Sequence, residues 1–287
     1  MTLDHGSTDK IIAVASMQRN ESKYILEWFA YYLTQGVNKF IIYNHMSTDD
    51  TQSIYENLRR VGYDIDIHYR DGYNVHYPML QHALGYLPTV DWLIFADMDE
   101  FYFSDTGSTI AEILNANEGF EGSAFGINWC AFGSSGHNAD PELVLRDYNH
   151  RGHADISTNH HYKSIVRGRG AAGTVHGTNP HIFTTDHGTF NLAGKPIPSW
   201  AGHNPAEPVV HSPLRINHYQ CKSWEYFKTV KQARGSTADR TPDAPGAQIP
   251  DSVFHDYDYN DVEDNSIWDL WGTEVLQRIN TLKEQLK

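Results

Sequence analysis

Three carboxylates fall within four positions of this chain, at Asp97, Asp99 and Glu100, directly after the apolar run from Trp92 to Ala96. Residues two apart in a strand point to the same side, so Asp97 and Asp99 can face one object. Carboxylates that close repel each other unless a cation lies between them or one is protonated. Mg²⁺ and Mn²⁺ prefer oxygen ligands, and such ions commonly hold substrate phosphates. The spacing therefore predicts a metal and phosphate site, with solvated surface acids as the alternative.

The segments before these acids alternate between short apolar runs and amphipathic helices. The predicted strands are IIAVASM, KFIIYN, DIDIHY and DWLIFAD, and the predicted helices between them are ILEWFAYYLTQG, STDDTQSIYENLRRVG and YPMLQHALGYL. Strands that are apolar on both faces and alternate with helices indicate a parallel sheet covered by helices. In open sheets of this kind ligands bind beyond the carboxyl ends of the strands. We therefore expect a Rossmann-like first half with the acids at its binding edge.

A pair of cations lies in HYKSIVRG, which alternates like a strand and places Lys163 and Arg167 on one face. Two cations suit a diphosphate, although ion pairs with surface acids are the alternative. The surrounding stretch, from Cys130 to His218, is rich in Gly, His, Asn and Pro. Long irregular segments in compact domains are usually functional. Just before it, Trp129 could stack on a sugar, although core packing is the alternative.

The composition of the 287 residues limits the classes of function. A formal charge of -14 argues against a nucleic-acid-binding protein, because phosphate backbones require a basic surface. The apolar fraction of 40% indicates a globular chain, and no run approaches the roughly 18 apolar residues that span a bilayer. The two cysteines lack metal or disulfide spacing, and the N-terminus lacks a signal-peptide pattern. We therefore expect a soluble cytoplasmic protein whose amphipathic C-terminal helix could contact the inner face of a membrane.

Several blocks of the sequence resemble one group of enzymes. WLIFADMDEF resembles the DxD motif of nucleotide-sugar-dependent glycosyltransferases of the GT-A fold. RNESKYILEWFAYYLTQGVNKFIIYNHMSTDDT is similar to the opening of glycosyltransferase family 92 and of the related bacterial branch of family 2, and INWCAFGSSGH, YKSIVRG and INHYQCKSWEYF resemble later blocks. The resemblance covers most of residues 12 to 230. It implies an α/β GT-A catalytic domain over residues 1–222, with a mostly parallel central sheet flanked by helices, and a helical extension over residues 223–287 packed on it.

The resemblance also assigns site residues. Asp99 would contact a Mn²⁺ or Mg²⁺ ion, with Asp97 toward the ribose and the metal. His218 in the NHY block would be a further metal ligand, with His176 as its competitor. The base and ribose of the nucleotide would lie against residues that follow the first two strands, namely Arg19, Asn20, Glu21, Asn44 and Asp49.

The reaction implied is transfer of a sugar from a nucleotide diphosphate, with a UDP-sugar as the expected donor, to a hydroxyl of a glycan or lipid-linked acceptor. Inverting stereochemistry would require a general base on the face opposite the leaving group. Asp186 lies about as far along the chain from the DxD motif as the general base does in the family 2 enzymes that this sequence resembles. Asp140 follows the FGSSGH block, so both are candidates. One alternative is a non-catalytic carbohydrate-binding or inactive relative. Another is a sugar nucleotidyltransferase, although the Gly-rich basic loop usual in that class is absent after the first predicted strand.

Overall fold

The computed structural model of the protein describes residues 10–179, 181–198, 203, 207–233 and 249–287. Its strands are Ile12–Gln18 (β1), Lys39–His45 (β2), Ile65–Arg70 (β3), Trp92–Phe95 (β4), Glu100–Phe103 (β5), Ala124–Ala131 (β6), His150–Arg151 (β7), Tyr162–Arg167 (β8), Val175–Asn179 (β9), Ile182–Thr185 (β10), Thr189–Phe190 (β11), Pro196–Ile197 (β12), Arg215–His218 (β13) and Val262–Glu263 (β14). Its α-helices are Ile25–Thr34 (α1), Thr51–Arg60 (α2), His76–Leu84 (α3), Ile110–Ala116 (α4), Val144–Asp147 (α5), Trp224–Tyr226 (α6), Asp251–Tyr257 (α7) and Ser266–Gln285 (α8). A 3-10 turn spans Ser157–His160, and a π-helical segment spans Phe227–Gln232.

The main sheet has the strand order β12-β11-β6-β8-β4-β1-β2-β3, with β13 joined to β6 and β5 joined to β13. Strands β4, β1, β2 and β3 run parallel to one another. Strand β8 is antiparallel to both β4 and β6, so β6 runs in the same direction as β4, and β13 is parallel to β6. The sheet therefore has a carboxyl edge, where Gln18, Phe95 and His218 end their strands, and an amino edge, where Trp92 and Ala124 begin theirs.

Successive residues of β1 pack against helices on opposite faces of the sheet. Val14 lies in one core with Trp28 and Phe29 of α1, both of which are fully buried. Ala13 lies in a second core with Met79 of α3. Helices thus cover both faces, which explains why the parallel strands are apolar throughout rather than alternating. The architecture confirms the predicted α/β fold of the GT-A type, with a mostly parallel central sheet flanked by helices.

The C-terminal helix α8 shares the core that contains α1. Its Ile267, Val275 and Ile279 are buried in that cluster. This packing agrees with an extension lying on the first part of the chain, while the boundary at residue 222 stays a prediction, and residues 234–248 lie outside the described residues. Within the described ranges, no helix combines the length and apolar character needed to cross a membrane. Peripheral membrane contact and a cytoplasmic location stay predictions.

Candidate functional site

The carboxyl edge of the sheet holds a cavity of about 340 Å³. This volume lies near the lower end of the range for small-molecule sites. Strands β1, β2, β4, β6 and β13 contribute residues at or near their carboxyl ends, and the loops before β8 and β10 close the cavity. The lining residues are Met17, Gln18, Arg19, Glu21, His45, His76, Asp97, Met98, Asp99, Trp129, His161, His181, His218, Gln220, Lys231 and Tyr257.

Lys163 forms ion pairs with two of the three clustered carboxylates. Its Nζ lies 2.5 Å from Oδ2 of Asp97 and 2.6 Å from Oε2 of Glu100, and its side chain is almost fully buried. Burial opposes ionisation of Asp97, but the charge of Lys163 outweighs it and lowers the pKa of Asp97. For the fully buried Glu100, burial dominates and raises the pKa. Lys163 is thus the internal counter-ion of this acidic cluster, and the expected contact with a diphosphate would have to compete with two short ion pairs.

Asp99 and His218 approach each other without forming a hydrogen bond. Nε2 of His218 lies 3.7 Å from Oδ1 of Asp99, and Nζ of Lys231 lies 3.8 Å from Oδ2, both beyond hydrogen-bond range. Burial raises the pKa of Asp99, but the neighbouring His218 and Lys231 lower it by more, so the pKa lies well below its usual range. The β5–β13 ladder, which pairs His218 with Glu100, fixes this approach. The result is a charged oxygen and an imidazole nitrogen facing one gap in the cavity wall.

The donor atoms around this gap fit a divalent ion. Carboxylate oxygen and imidazole nitrogen suit Mn²⁺, and Mg²⁺ accepts the carboxylate together with substrate oxygens. Nδ1 of His218 is buried and has no hydrogen-bond partner among the described residues. In metal-bound histidines the ring nitrogen that does not bind the metal usually donates a hydrogen bond, which orients the ring. That orienting hydrogen bond is not formed by the described residues. Among the described residues, no three His, Cys, Asp or Glu side chains form a complete metal-binding group. A metal held by Asp99 and His218 would have coordination positions left for oxygens of water or substrate.

Two cationic side chains, those of Arg19 and Lys231, line the cavity. Arg19 directly follows β1. The family resemblance predicted that Arg19 contacts the nucleotide, and this contact stays a prediction. Lys231 lies in the π-helical segment and donates a hydrogen bond to the carbonyl of Gln220. Sequence reasoning missed Lys231, because a lysine in an amphipathic helical segment usually faces solvent. Short π-helical insertions often occur at functional sites, but no spacing signal in the sequence marks this one.

Trp129 forms an aromatic surface within the cavity, surrounded by histidines. Its ring centre lies 4.2 Å from that of His218, 4.9 Å from that of His161 and 5.1 Å from that of His181. The predicted sugar-stacking residue is thus at the cavity, although only 9% of it is exposed. The sequence did not single out the surrounding histidines other than His218, because the chain has 17 histidines without a diagnostic metal spacing.

Three residues predicted to contact the nucleotide instead form hydrogen bonds within and between the loops after β1 and β2 and with the start of α2. Oδ1 of Asn20 accepts from the amide of Thr48 at 2.8 Å, and Nδ2 of Asn44 donates to Gln52 at 2.7 Å. The carboxylate of Asp49 accepts from the amides of Ser22 and Thr51, both at 3.0 Å. Partial burial raises the pKa of Asp49, but these hydrogen bonds outweigh it and lower the pKa. None of the three lines the cavity, whereas Arg19 and Glu21 do.

Arg167 lies at the opposite end of β8 from Lys163. The β4–β8 register pairs Arg167 with Trp92, which begins β4 at the amino edge. Its guanidinium donates to the carbonyls of Phe120 and Glu118 and lies 5.8 Å from the centre of the Trp92 ring. Four residues of an extended strand span roughly 13 Å, which separates the two cations. The expectation that Arg167 shares a diphosphate with Lys163 is therefore wrong in this geometry.

Asp186 and His176 lie away from the cavity on the β9–β10 hairpin and the turn that follows it. Oδ2 of Asp186 accepts from the amide of Thr174 at 2.7 Å, and both Asp186 and His176 are exposed. Three residues later, Thr189 pairs with Ala124 at the amino edge. Asp186 is thus held near the edge opposite Asp99, and this position contradicts its predicted role as general base. His176 does not line the cavity either, so His218 is the better metal ligand of the two.

Asp140, the second candidate for the general base, is committed to structural contacts. Its carboxylate accepts from the hydroxyls of Tyr24 and Tyr148 and pairs with Lys23. Burial raises the pKa of Asp140, but the contacts with Lys23 and Tyr24 lower it by more. It is not among the residues that line the cavity. Neither predicted base therefore faces the place where an acceptor could bind.

Comparisons with known proteins agree with the sequence blocks. The family model of glycosyltransferase family 92 matches residues 9–232. A glycosyltransferase family 92 protein of Ricinus communis is 26% identical over 79% of this chain and 38% of its own length. One from Oryza sativa subsp. japonica is 23% identical over 79% of this chain and 36% of its own length. The chain thus spans less than two fifths of these relatives.

The comparison with solved structures gives matches of low TM-score and low identity. TarS of S. aureus in complex with UDP has a TM-score of 0.37 and 14% identity, over 55% of this chain and 46% of that one. A putative glucose-1-phosphate thymidylyltransferase from Bacillus anthracis has a TM-score of 0.35 and 10% identity, over 77% of this chain and 76% of that one. The family match spans well over half of the chain. The protein therefore belongs to glycosyltransferase family 92.

Proposed function

We propose that this protein is a metal-dependent, inverting glycosyltransferase that moves a sugar from a nucleotide diphosphate, with UDP as the nucleotide, to a hydroxyl of a glycan or lipid-linked acceptor. The observation that carries this proposal is the gap between Asp99 and His218, where the two donor atoms lie 3.7 Å apart in the wall of a polar cavity. Membership of family 92 and the position of the acids at the carboxyl edge support the same assignment.

Asp99 and His218 would hold the Mn²⁺ or Mg²⁺ ion, with Asp97 beside them. When bound, the ion would neutralise the negative charge that develops on the leaving diphosphate. Lys163 supports this arrangement because its ion pairs hold Asp97 and Glu100 in place and remove their mutual repulsion. It therefore orients the acids and takes no direct part in holding the donor.

Arg19 and Lys231 are the cations that we assign to the diphosphate. Both line the cavity, and Lys231 lies within 3.8 Å of the Asp99 carboxylate, so its ammonium is next to the proposed metal site. The chain carries a formal charge of -14, so an anionic donor depends on local positive charge for its binding. Lysine and arginine at this position would bind the phosphates by charge-assisted hydrogen bonds.

The remaining walls suggest places for the other parts of the substrates. Met17, His45 and His76 line the side of the cavity at the ends of β1 and β2, where a flat base could lie. Trp129 lies on the other side, and an aromatic ring can stack on the apolar face of a sugar. We assign the first side to the nucleotide and the Trp129 side to the sugar and the acceptor.

A calorimetric titration of UDP into the full chain, with and without Mn²⁺, tests this proposal. We expect UDP to bind at least about tenfold more tightly with Mn²⁺, which corresponds to about 1.4 kcal/mol. Asp99→Asn should abolish this metal-dependent gain, because the amide lacks the charge that holds the ion. The matched control is Asp186→Asn, which removes an acid at the opposite edge of the sheet and should bind as the wild type does.

Two outcomes would contradict the proposal. Equal UDP binding with and without Mn²⁺ would remove the metal from the mechanism. No UDP binding in any condition, together with binding of glycans, would favour a non-catalytic carbohydrate-binding protein.

A further inference from the structure

His161 lies on the Trp129 side of the cavity. It directly precedes β8, and its ring stacks on that of Trp129 with the centres 4.9 Å apart and the planes inclined by 25°. His218, on the far strand β13, contacts the same tryptophan ring. His161 is therefore one aromatic ring away from the proposed metal ligand, on the side that we assign to the acceptor.

The hydrogen bonds of His161 fix its tautomer. Its Nδ1 lies 3.0 Å from the backbone carbonyl of Thr158. A carbonyl oxygen can only accept, so in this contact Nδ1 must carry the hydrogen. In the neutral ring Nε2 is then a lone-pair acceptor. Among the described residues Nε2 makes no hydrogen bond, and the ring is part of the cavity wall.

The surroundings of His161 favour the neutral ring. Burial lowers its pKa, the carbonyl of Thr158 partly offsets this, and the nearby His203, His218 and His160 lower it further. His181 also faces it, with the ring centres 6.0 Å apart. A neutral imidazole with a fixed Nδ1–H and an accessible Nε2 is the form of histidine that can take up a proton.

Other basic groups of the cavity fit this task less well. The carboxylate of Asp97 is paired with Lys163, and that of Asp99 lies beside His218 and Lys231. Nε2 of His45 is bonded to the carbonyl of Gly72 at 2.8 Å, which leaves its lone pair on Nδ1, and that atom is buried. Each of these groups is either engaged with a cation or closed to an incoming hydroxyl.

His181 is the closest competitor, because it also contacts Trp129 and its Nδ1 bonds to a carbonyl, that of Tyr162, at 2.8 Å. Burial, with the charge of Lys163, lowers the pKa of His181 to about 4. An imidazole that holds a proton so weakly is a poor base near neutral pH. Its similar environment makes His181 a matched control for His161.

We propose that His161 is the general base that accepts the proton of the acceptor hydroxyl, a role that rests on the glycosyl transfer proposed above. The hydroxyl oxygen forms a bond to the anomeric carbon of the donor sugar while the bond from that carbon to the β-phosphate oxygen breaks. The electron pair of the broken bond remains on the phosphate, and the hydroxyl proton moves to Nε2 of His161. The ring becomes an imidazolium and returns its proton to solvent after the products leave.

The test compares His161→Gln with His181→Gln in the full chain, using UDP release from a panel of UDP-hexoses and UDP-N-acetylhexosamines in the presence of Mn²⁺. Calorimetry with UDP is run in parallel on each variant. Loss of a general base typically lowers the rate by roughly 10² to 10⁴. We expect a loss of this size for His161→Gln with water or a sugar hydroxyl as acceptor, with UDP affinity unchanged. His181→Gln changes the same wall of the cavity, so we expect some loss of rate, but a loss at least about tenfold smaller than that of His161→Gln.

Sodium azide provides the decisive acceptor, because azide is already an anion and has no proton to lose. Formation of glycosyl azide by His161→Gln at about the wild-type rate would support the role in proton transfer. Retention of hydroxyl transfer by His161→Gln, or equal loss with hydroxyl and azide acceptors, would overturn it. Absence of metal-dependent UDP binding by the wild type would instead overturn the proposed function itself, and this role with it.

Discussion

Asp99 and Asp264 are two carboxylates with little exposed side chain, each beside two nitrogen-bearing side chains, and they differ in how closely those side chains approach. Arg151 and Arg215 lie 2.7 Å and 2.8 Å from Oδ2 of Asp264. Nε2 of His218 and Nζ of Lys231 remain 3.7 Å and 3.8 Å from the oxygens of Asp99. Ser266 completes the Asp264 cluster with a backbone hydrogen bond at 3.1 Å. One cluster has direct hydrogen bonds from both cations, and the other has a gap.

This difference separates a structural role from a functional one. Asp264 ties β13 and β7 to the start of α8, so its hydrogen bonds hold the C-terminal helix on the sheet. A buried charge with complete hydrogen bonds has no capacity left for a ligand. Asp99 lies in a cavity wall without a direct hydrogen bond from His218 or Lys231, so a ligand can complete its contacts.

The largest effect is expected from Asp99→Asn. We expect its rate of sugar transfer to fall by roughly 10³, about 4 kcal/mol of transition-state stabilisation, because the charge beside the diphosphate is lost. Its melting temperature should fall less than that of Asp264→Ala, because among the described residues the groups that lower the pKa of Asp99 lie 3.7 Å and 3.8 Å away and form no short hydrogen bond with its side chain. The measurements are UDP release from UDP-sugars and thermal unfolding followed by circular dichroism. A large fall in melting temperature would show that Asp99 is structural, as Asp264 is.

The second prediction concerns Asp264, where we expect a loss of stability without a loss of UDP binding. Asp264→Ala should lower the free energy of unfolding by about 3 kcal/mol, because it leaves Arg151 and Arg215 charged and without their carboxylate. Urea unfolding measures this loss. The UDP affinity of the folded fraction should be unchanged, because Asp264 does not line the cavity. A variant of normal stability that fails to bind UDP would contradict the separation of roles.

The third prediction concerns pH. Burial raises the pKa of Asp264, but the charge of Arg215 and the other contacts outweigh it, so the folded-state pKa is lowered to about 2. The pKa of an unfolded aspartate is about 3.9, so this group stabilises the folded state fully above that value and loses its contribution as pH falls toward 2. The contribution is roughly 2 kcal/mol at neutral pH, of which about half is lost by pH 3.

Urea unfolding of the wild type and of Asp264→Asn at several pH values measures this contribution. The stability difference between the two proteins should shrink as the solution is acidified from pH 6 to pH 3. A difference that stays constant over this range would show that the carboxylate is not held by the two arginines.

The smallest effect is expected from Asp186→Asn. Its carboxylate is exposed and bonds to the amide of Thr174 at the amino edge, so we expect transfer rates within about twofold of the wild type. UDP release from UDP-sugars measures the rate. A severe loss of activity with normal folding would instead place the acceptor near the hairpin and would contradict the assignment of the acceptor to the Trp129 side.

The reliable predictions came from local patterns. An apolar run followed by acids was enough to place Asp97 and Asp99 just beyond the end of a buried strand, because the burial of such a run is a property of a single segment. The expected alignment of the two acids by strand alternation is wrong, since β4 ends at Phe95 and both acids lie in the connection before β5. The approach of His218 to Asp99 followed from the family resemblance and not from any spacing. The alternation of HYKSIVRG correctly put Lys163 and Arg167 on one face of β8. It did not show that they lie at opposite edges of the sheet, since a shared face carries no information on position along the strand.

The sequence by itself determined the α/β class, the family and the buried strand that the acids follow, because these depend on patterns within segments of a few to about twenty residues. Only the tertiary structure decided that Lys163 is a counter-ion, that Asp140 and Asp186 lie away from the cavity, and that Lys231 and His161 line it. These outcomes depend on contacts between residues far apart in the chain. Such contacts are set by sheet register and loop paths, which the spacing of residues along a sequence does not specify.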